Sequence, residues 1–187
     1  MSTVSPPLLN IVLHEPEIPN NTGNIGRTCI ASGCALHLIK PLGFDTSEKE
    51  CRRAGLDYWP RLNPTEHESW GDYLETAKPR PDRLWIFTTR TDRPVWDADI
   101  QPGDHLVFGK ETAGLPSSFL SDYPDRLVTL PMIPGERSLN LATAVCAAVY
   151  EGLRQMTDRG QLIVNGSGRI ECRADMMARN RNAKYEE

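Results

Sequence analysis

Short apolar runs alternate along the chain with amphipathic stretches, the pattern of an α/β fold with a mainly parallel sheet and helices on both faces. Residues 8–13 read as a first strand and 35–39 as a second. Residues 84–87, 106–108 and 126–130 read as further buried strands. Between the first two strands, Asn21 or Thr22 can cap a helix that ends near Gly33, where a left-handed residue suits glycine. A second helix is expected over 47–54, stopping at Gly55, and Thr65 with Glu68 has the capping-box spacing to open a helix carrying Trp70, Tyr73 and Leu74. The longest helix is expected from about Ser138 to Met156. There Leu141, Val145, Ala148, Val149, Gly152 and Met156 share one face, and Ala142, Ala144 and Ala147 let a neighbour approach closely.

After Met156 the character changes. Gly160, Gly166 and Gly168 surround a short apolar run at 162–164, and a basic stretch follows with Arg169, Arg173, Arg179, Arg181 and Lys184. Residues 1–157 therefore read as one domain and 158–187 as an appendage. The whole chain, at 187 residues, has the size of one ordinary domain, long enough to bury roughly 70% of its unfolded surface without disulfide or metal.

Charge narrows the picture only slightly. Lys plus Arg is 21 against 25 Asp plus Glu, a net charge of -4, which lacks the strongly basic balance of a simple nucleic-acid binder. A local basic patch remains open, because steering depends on where charges sit. No apolar run approaches the roughly 18 residues that would span a bilayer. The first seven residues lack the basic and apolar regions of a signal peptide. The five cysteines include no C-x-x-C pair and read as reduced thiols. The expectation is a cytoplasmic protein.

Common catalytic motifs fail. Thr22-Gly23-Asn24-Ile25-Gly26 is not a dinucleotide fingerprint, and Gly109-Lys110-Glu111-Thr112 lacks the residues of a phosphate loop on both sides of its lysine. No G-x-S-x-G occurs, and four scattered histidines without H-E-x-x-H argue against a metal. Three loops of unusual composition remain, 14–27, 108–116 and 130–141, each after an expected strand. The carboxyl ends of strands in an open α/β sheet form the ligand crevice, so the three could converge on one site. Plain turn and cap chemistry is the competing reading.

The three loops together resemble a known family. Asn-Thr-Gly-Asn-Ile-x-Arg (21–27), Phe-Gly-x-Glu-Thr-x-Gly-Leu-Pro (108–116) and Pro-Met-x-Pro-x-x-Arg-Ser-Leu-Asn-Leu (131–141) are similar to SPOUT methyltransferases. They are most similar to the compact tRNA wobble-nucleotide 2′-O-methyltransferases of the TrmL (YibK-like) family, which Arg53-Ala54-Gly55-Leu56-Asp57-Tyr58 also matches. The resemblance runs from about Leu9 to Met156. It implies a trefoil knot in the C-terminal part of the sheet, S-adenosyl-L-methionine as cofactor, tRNA as substrate, and a homodimer with active sites built from both subunits. It implies neither membrane nor metal.

Carried over residue by residue, the resemblance puts Phe87, Gly109, Leu130 and Ser138 in the cofactor pocket, with Met132, Ile133 and Asn140 nearby. Leu130, Met132 and Ile133 can line an apolar slot for adenine, and glycine at 109 lets backbone approach the ligand. Arg27 becomes the catalytic residue. A guanidinium with a pKa above 12 is a poor base. Its expected role is therefore to pin the adjacent phosphate and stabilise developing alkoxide charge, helped by the start of the first helix. Asn24, Arg52, Arg53, Arg137 and Tyr150 become substrate-binding candidates. Arg52, Arg53, Arg61 and Lys49 form a cluster suited to phosphate, although Glu48, Glu50 and Asp57 interleave and a solvated face reads nearly as well. Tyr150 reads equally as an aromatic core residue.

The chain departs from the family examples at Lys110 and Ala113, where they carry proline and arginine, and at Gly26, where they carry a larger apolar residue. Two alternatives accompany the tRNA reading. One is a catalytically silent RNA-binding module on the same fold; the other is a ribosomal RNA 2′-O-methyltransferase of the same class. Arg27, Ser138 and Asn140 together favour an enzyme.

Overall fold

The computed structural model describes residues 6–46 and 58–172. The helix expected over 47–54, and Lys49, Arg52 and Arg53 with it, lies outside the described residues. Six strands, β1 (Asn10–His14), β2 (Ala35–Ile39), β3 (Thr65–His67), β4 (Leu84–Phe87), β5 (His105–Phe108) and β6 (Leu127–Val128), form one sheet in the order β3-β2-β1-β5-β4-β6. Every pairing in it is parallel. The direction in which the chain crosses the sheet reverses between β1 and β5, where Leu13 pairs with Phe108, the kind of place at which open α/β sheets form ligand crevices at their carboxyl ends.

Both faces of the sheet are covered, which is why its strands read as continuous apolar runs. Ile11, Leu13, Leu36, Leu38, Trp85, Phe87, Leu106 and Phe108 point to one side. They meet Ile25 and Cys29 of α1 (Pro19–Ser32) and, from the last long helix (Leu141–Asp158), Leu141, Val145, Ala148, Val149, Leu153 and Met156. Val12, Ile39, Leu84, Ile86 and Val107 point to the other side, against Tyr73 and Phe119. The described residues hold three further short α-helices, α2 (Trp59–Leu62), α3 (Trp70–Ala77) and α4 (Ser117–Asp122), and the Leu141–Asp158 helix is here α5.

Helix starts differ from the expected ones for identifiable reasons. Helix α1 begins before Asn21 and Thr22, with Ile18 at the cap and Pro19 supplying the preset φ of a first position. Its end is as expected, with Gly33 left-handed at φ 70°. Thr65 and Glu68 do not make a capping box, because Thr65–His67 pairs with β2 as strand β3. The helix opens instead at Ser69, whose Oγ accepts from the Asp72 N–H, while the Asp72 carboxylate accepts from the Glu68 N–H. Helix α5 starts at Leu141 rather than Ser138, because Asn140 is the better cap: its Oδ1 accepts from the N–H groups of Ala142 and Thr143.

Strand β6 is shorter than expected, and the backbone of Thr129 beyond it exchanges hydrogen bonds with Arg93 and Val95 of the β4–β5 connection. After α5, β7 (Leu162–Val164) and β8 (Ile170–Cys172) form an antiparallel hairpin whose Leu162 is buried in the main core. Among the described residues no helix is long and apolar enough to cross a membrane.

On the α3 side the sheet buries a polar cluster. His37 Nδ1 lies 3.0 Å from His67 Nε2, His37 Nε2 faces Asn10, and Tyr73 Oη bonds His105 Nδ1. Burial holds His37 and His105 down to about 4, the neighbouring histidines adding to the effect at His37. Burial lowers His67 too, opposed by Asp72. Each folded-state value lies below the ordinary 6.5, so the unfolded chain binds more protons between about pH 4 and 6.5. Stability should be complete above that range and fall on acidification through it, by up to about 1.4 kcal/mol per pH unit for each of His37 and His105. Urea midpoints measured from pH 7 to 4.5 should decline, with a shallower decline in His37→Asn; a flat profile would contradict the neutral cluster.

Candidate functional site

The three loops, which follow β1, β5 and β6, meet the segment after β4 around a cavity of about 520 Å³. Its apolar part includes Phe87 and Phe108, whose rings stack with centroids 4.5 Å apart, together with Leu130 and Met132. Its polar part includes Thr88, Thr89, Arg90, Arg137, Ser138 and Asn140.

What holds the loops together is a set of side-chain bonds between them. Glu111 accepts from the N–H groups of Glu17 (2.9 Å) and Ile18 (3.3 Å) and from Asn21 Nδ2 (3.0 Å), so a carboxylate from the second loop closes the N-terminus of α1. Glu17 reciprocates by accepting from the N–H and Oγ1 of Thr112. Asn140 Nδ2 donates to Asn21 Oδ1 at 3.0 Å while Asn140 Oδ1 caps α5, which ties in the third loop. Lys110 pairs with Glu15 at 2.8 Å, and Glu15 raises the lysine above its ordinary value. Glu15 itself sits at φ 52°, a left-handed backbone conformation uncommon for a non-glycine residue.

Gly109 lines the cavity, but its lack of a side chain serves its own loop. A Cβ there would lie 2.1 Å from the carbonyl carbon of Gly114 and 2.3 Å from the nitrogen of Leu115. The chain turns back on itself through 110–114, with a bridge between Lys110 and Gly114, so even alanine cannot enter without displacing backbone. Room for the returning strand of the loop is thus a reason for glycine at 109 that the sequence did not suggest, beside its place in the cavity lining.

The expected cofactor residues Phe87, Gly109, Leu130, Met132, Ser138 and Asn140 all line this cavity. Ile133 does not; it is 73% exposed at the tip of the third loop. Of the substrate candidates, Arg137 is in the lining, whereas Asn24 and Tyr150 lie outside it on exposed faces of α1 and α5. Arg27 also lies outside it, exposed in the second half of α1, so the start of that helix cannot assist it; Glu111 already occupies the helix start. Arg61 is exposed at the end of α2. Sequence reasoning missed Asn21, Glu111 and Arg90 as site residues, although the first two stand inside the quoted motifs. Among the described residues no group of three or more His, Cys, Asp or Glu could hold a metal ion.

The family model described as the SpoU rRNA methylase family matches residues 8–150. The chain belongs to that family. Within it, a tRNA (cytidine(34)-2′-O)-methyltransferase of Saccharophagus degradans is 45% identical over 150 residues, 80% of this chain and 96% of the relative. A solved structure described as giving insight into 2′-OH methylation of C/U34 on tRNA is 43% identical, with a TM-score of 0.73, covering 83% of this chain and all of that one. The SpoU methyltransferase AviRb from Streptomyces viridochromogenes, in complex with AdoMet, is 29% identical with a TM-score of 0.67, over 82% of this chain and 59% of that one. The SpoU family is a methylase family, and the cavity is the candidate methyl-transfer site of this member.

The loop bonds predict their own energetics. Asn140→Ala removes the α5 cap and the bond to Asn21 together, and should lower stability by about 1–2 kcal/mol. In a urea titration beside Asn21→Ala and the double variant, the two losses should fall short of additivity. Strict additivity would mean that the Asn21–Asn140 bond contributes nothing.

Proposed function

We propose that the chain transfers a methyl group from S-adenosylmethionine to the ribose 2′-hydroxyl of a tRNA nucleotide, the wobble pyrimidine, and that it acts as a homodimer in the cytoplasm. The observation that carries the reading is the convergence of the three loops on one cavity of about 520 Å³, within the size range of small-molecule sites. The stacked Phe87–Phe108 pair, Leu130 and Met132 suit an adenine ring, while Thr88, Thr89, Ser138 and nearby backbone suit the ribose and amino-acid parts. The identities of the relatives support tRNA over ribosomal RNA, and the AdoMet-bound neighbour supports the cofactor. We read the passage from Thr129 beneath the β4–β5 connection to α5 as the knot of this class, and residues 158–187 as an appendage to the 1–157 methyltransferase domain.

S-adenosylmethionine supplies a sulfonium methyl group and leaves as S-adenosylhomocysteine. The protein's residues must hold the 2′-oxygen in line with that methyl and stabilise its charge as the proton departs. Arg27 does so by gripping the adjacent phosphate, and Arg137 at the cavity supplies a second cation. Arg27 lies outside the cavity lining of its own chain, which favours a site completed by a second subunit. The exposed faces of α1 (Asn20, Asn24, Arg27, Ala31) and α5 (Thr143, Ala147, Tyr150, Arg154) would carry that contact.

Two outcomes follow. In single-turnover transfer of labelled methyl to tRNA, Arg27→Ala should lose about 100-fold or more, the scale of one oxyanion-type donor. S-adenosylmethionine affinity measured by calorimetry should hardly change. Arg27→Lys should recover little, since an ammonium cannot form two parallel bonds to phosphate. Normal transfer by Arg27→Ala would remove Arg27 from the mechanism, and wild-type protein that binds tRNA without any transfer would instead be a silent binding module. In sedimentation, active protein should run as a dimer; a fully active monomer would overturn the two-subunit site.

A further inference from the structure

We propose that Tyr58 is a positioning residue that sets the plane of the Arg27 guanidinium, an inference that rests on the reading of Arg27 given above. The Arg27 Cζ lies 4.8 Å from the centroid of the Tyr58 ring, within the range of a cation–π contact. Arg27 is exposed and Tyr58 is 3% exposed, so a fixed ring supports a side chain that otherwise faces solvent. The Tyr58 hydroxyl donates to the carbonyl of Gly23, one turn before Arg27 on the same helix. Ring and helix are therefore joined at two points, through the hydroxyl at Gly23 and through the ring face at Arg27.

The geometry suits a group that must grip an anion. A guanidinium offers its N–H donors at its edge and its π-system on its face. Stacking uses the face and leaves the edge open, and among the described residues no carboxylate or carbonyl takes the Arg27 donors. An ion pair to the guanidinium would have fixed it equally well while occupying the donors that a phosphate needs. An unsupported arginine would give up side-chain entropy on each binding event.

Gly26 explains how Tyr58 reaches this position. Helix α2 lies so close to α1 that a Cβ at Gly26 would meet Leu62 Cδ2 at 2.8 Å and Trp59 Cζ3 at 3.1 Å. Glycine at 26, where the resembling family carries a larger apolar residue, lets the segment from Tyr58 to Leu62 close on α1 beside Arg27.

The test is a double-mutant cycle on full-length protein. Tyr58→Leu removes ring and hydroxyl, Tyr58→Phe removes only the hydroxyl, and Tyr58→Met keeps apolar bulk without a ring, in case the leucine variant does not fold. Each is assayed by single-turnover methyl transfer to tRNA, with S-adenosylmethionine binding and thermal midpoint measured on the same preparations. Tyr58→Leu and Tyr58→Met should slow transfer by about tenfold, the upper range of a cation–π contact, with cofactor affinity unchanged. Tyr58→Phe should stay within about threefold of wild type, since it keeps the ring. Combined with Arg27→Ala, neither ring deletion should slow transfer further, because the residue it positions is gone. Undiminished loss in the Arg27→Ala background would make Tyr58 merely structural and overturn the proposal, as would full activity of the ringless variants. If Arg27→Ala is itself fully active, the earlier reading of Arg27 fails; if Arg27→Ala is impaired and ringless Tyr58 variants are not, only this proposal fails.

Discussion

Asn21 accepts a hydrogen bond from Asn140 and donates one to Glu111, and the geometry of the cavity depends on that relay. Its three members come from three loops far apart in sequence, and two of them, Glu111 and Asn140, also settle backbone obligations at helix starts. Glu111 takes the N–H groups ahead of α1, and Asn140 takes those of the first turn of α5. Unmet helix-end donors near a partly buried site are costly. The same bonds that satisfy them therefore bring the cavity walls into register. The exchange between Glu17 and Thr112 and the Lys110–Glu15 pair brace the same junction from outside.

Much of the fold was legible because its physics is local and periodic. The residues of β2 and β4 are the expected ones, since a strand covered on both faces announces itself as an unbroken apolar run. Gly33 marked the end of α1 because few other residues tolerate φ 70° there. The misreadings share one cause, that several polar residues could cap and tertiary contact chose among them. Asn21 has the composition of a cap, yet Pro19 starts the helix earlier and frees Asn21 for the relay. Thr65 and Glu68 have box spacing, yet pairing with β2 draws Thr65 into a strand that ends before Glu68.

The site was legible to the extent that its residues stood in contiguous motifs. Phe87, Leu130 and Met132 could be core or cavity from sequence alone, because an apolar residue gives the same signal in both. The role of Gly109 depends on where Gly114 and Leu115 return, five and six positions along the chain, and spacing does not carry that distance. Nor could the sequence show that α1's start would be closed by a carboxylate of another loop. That closure removes the helix end as an anion site and leaves phosphate recognition to side chains.

The placement of α5 has a consequence for synthesis. The sheet face formed by Ile11, Leu36, Trp85 and Leu106 is covered in large part by Val145, Ala148, Val149 and Met156, which emerge from the ribosome after every strand of the main sheet. Until translation has passed Met156, the part of this apolar surface that α1 does not reach has no cover from α5. Parallel strands joined by long crossovers already fold slowly, because their contacts are distant in sequence. Acquisition of the native state is thus timed by the arrival of one helix, and the interval before it is the period in which the chain is most open to association with other nascent chains.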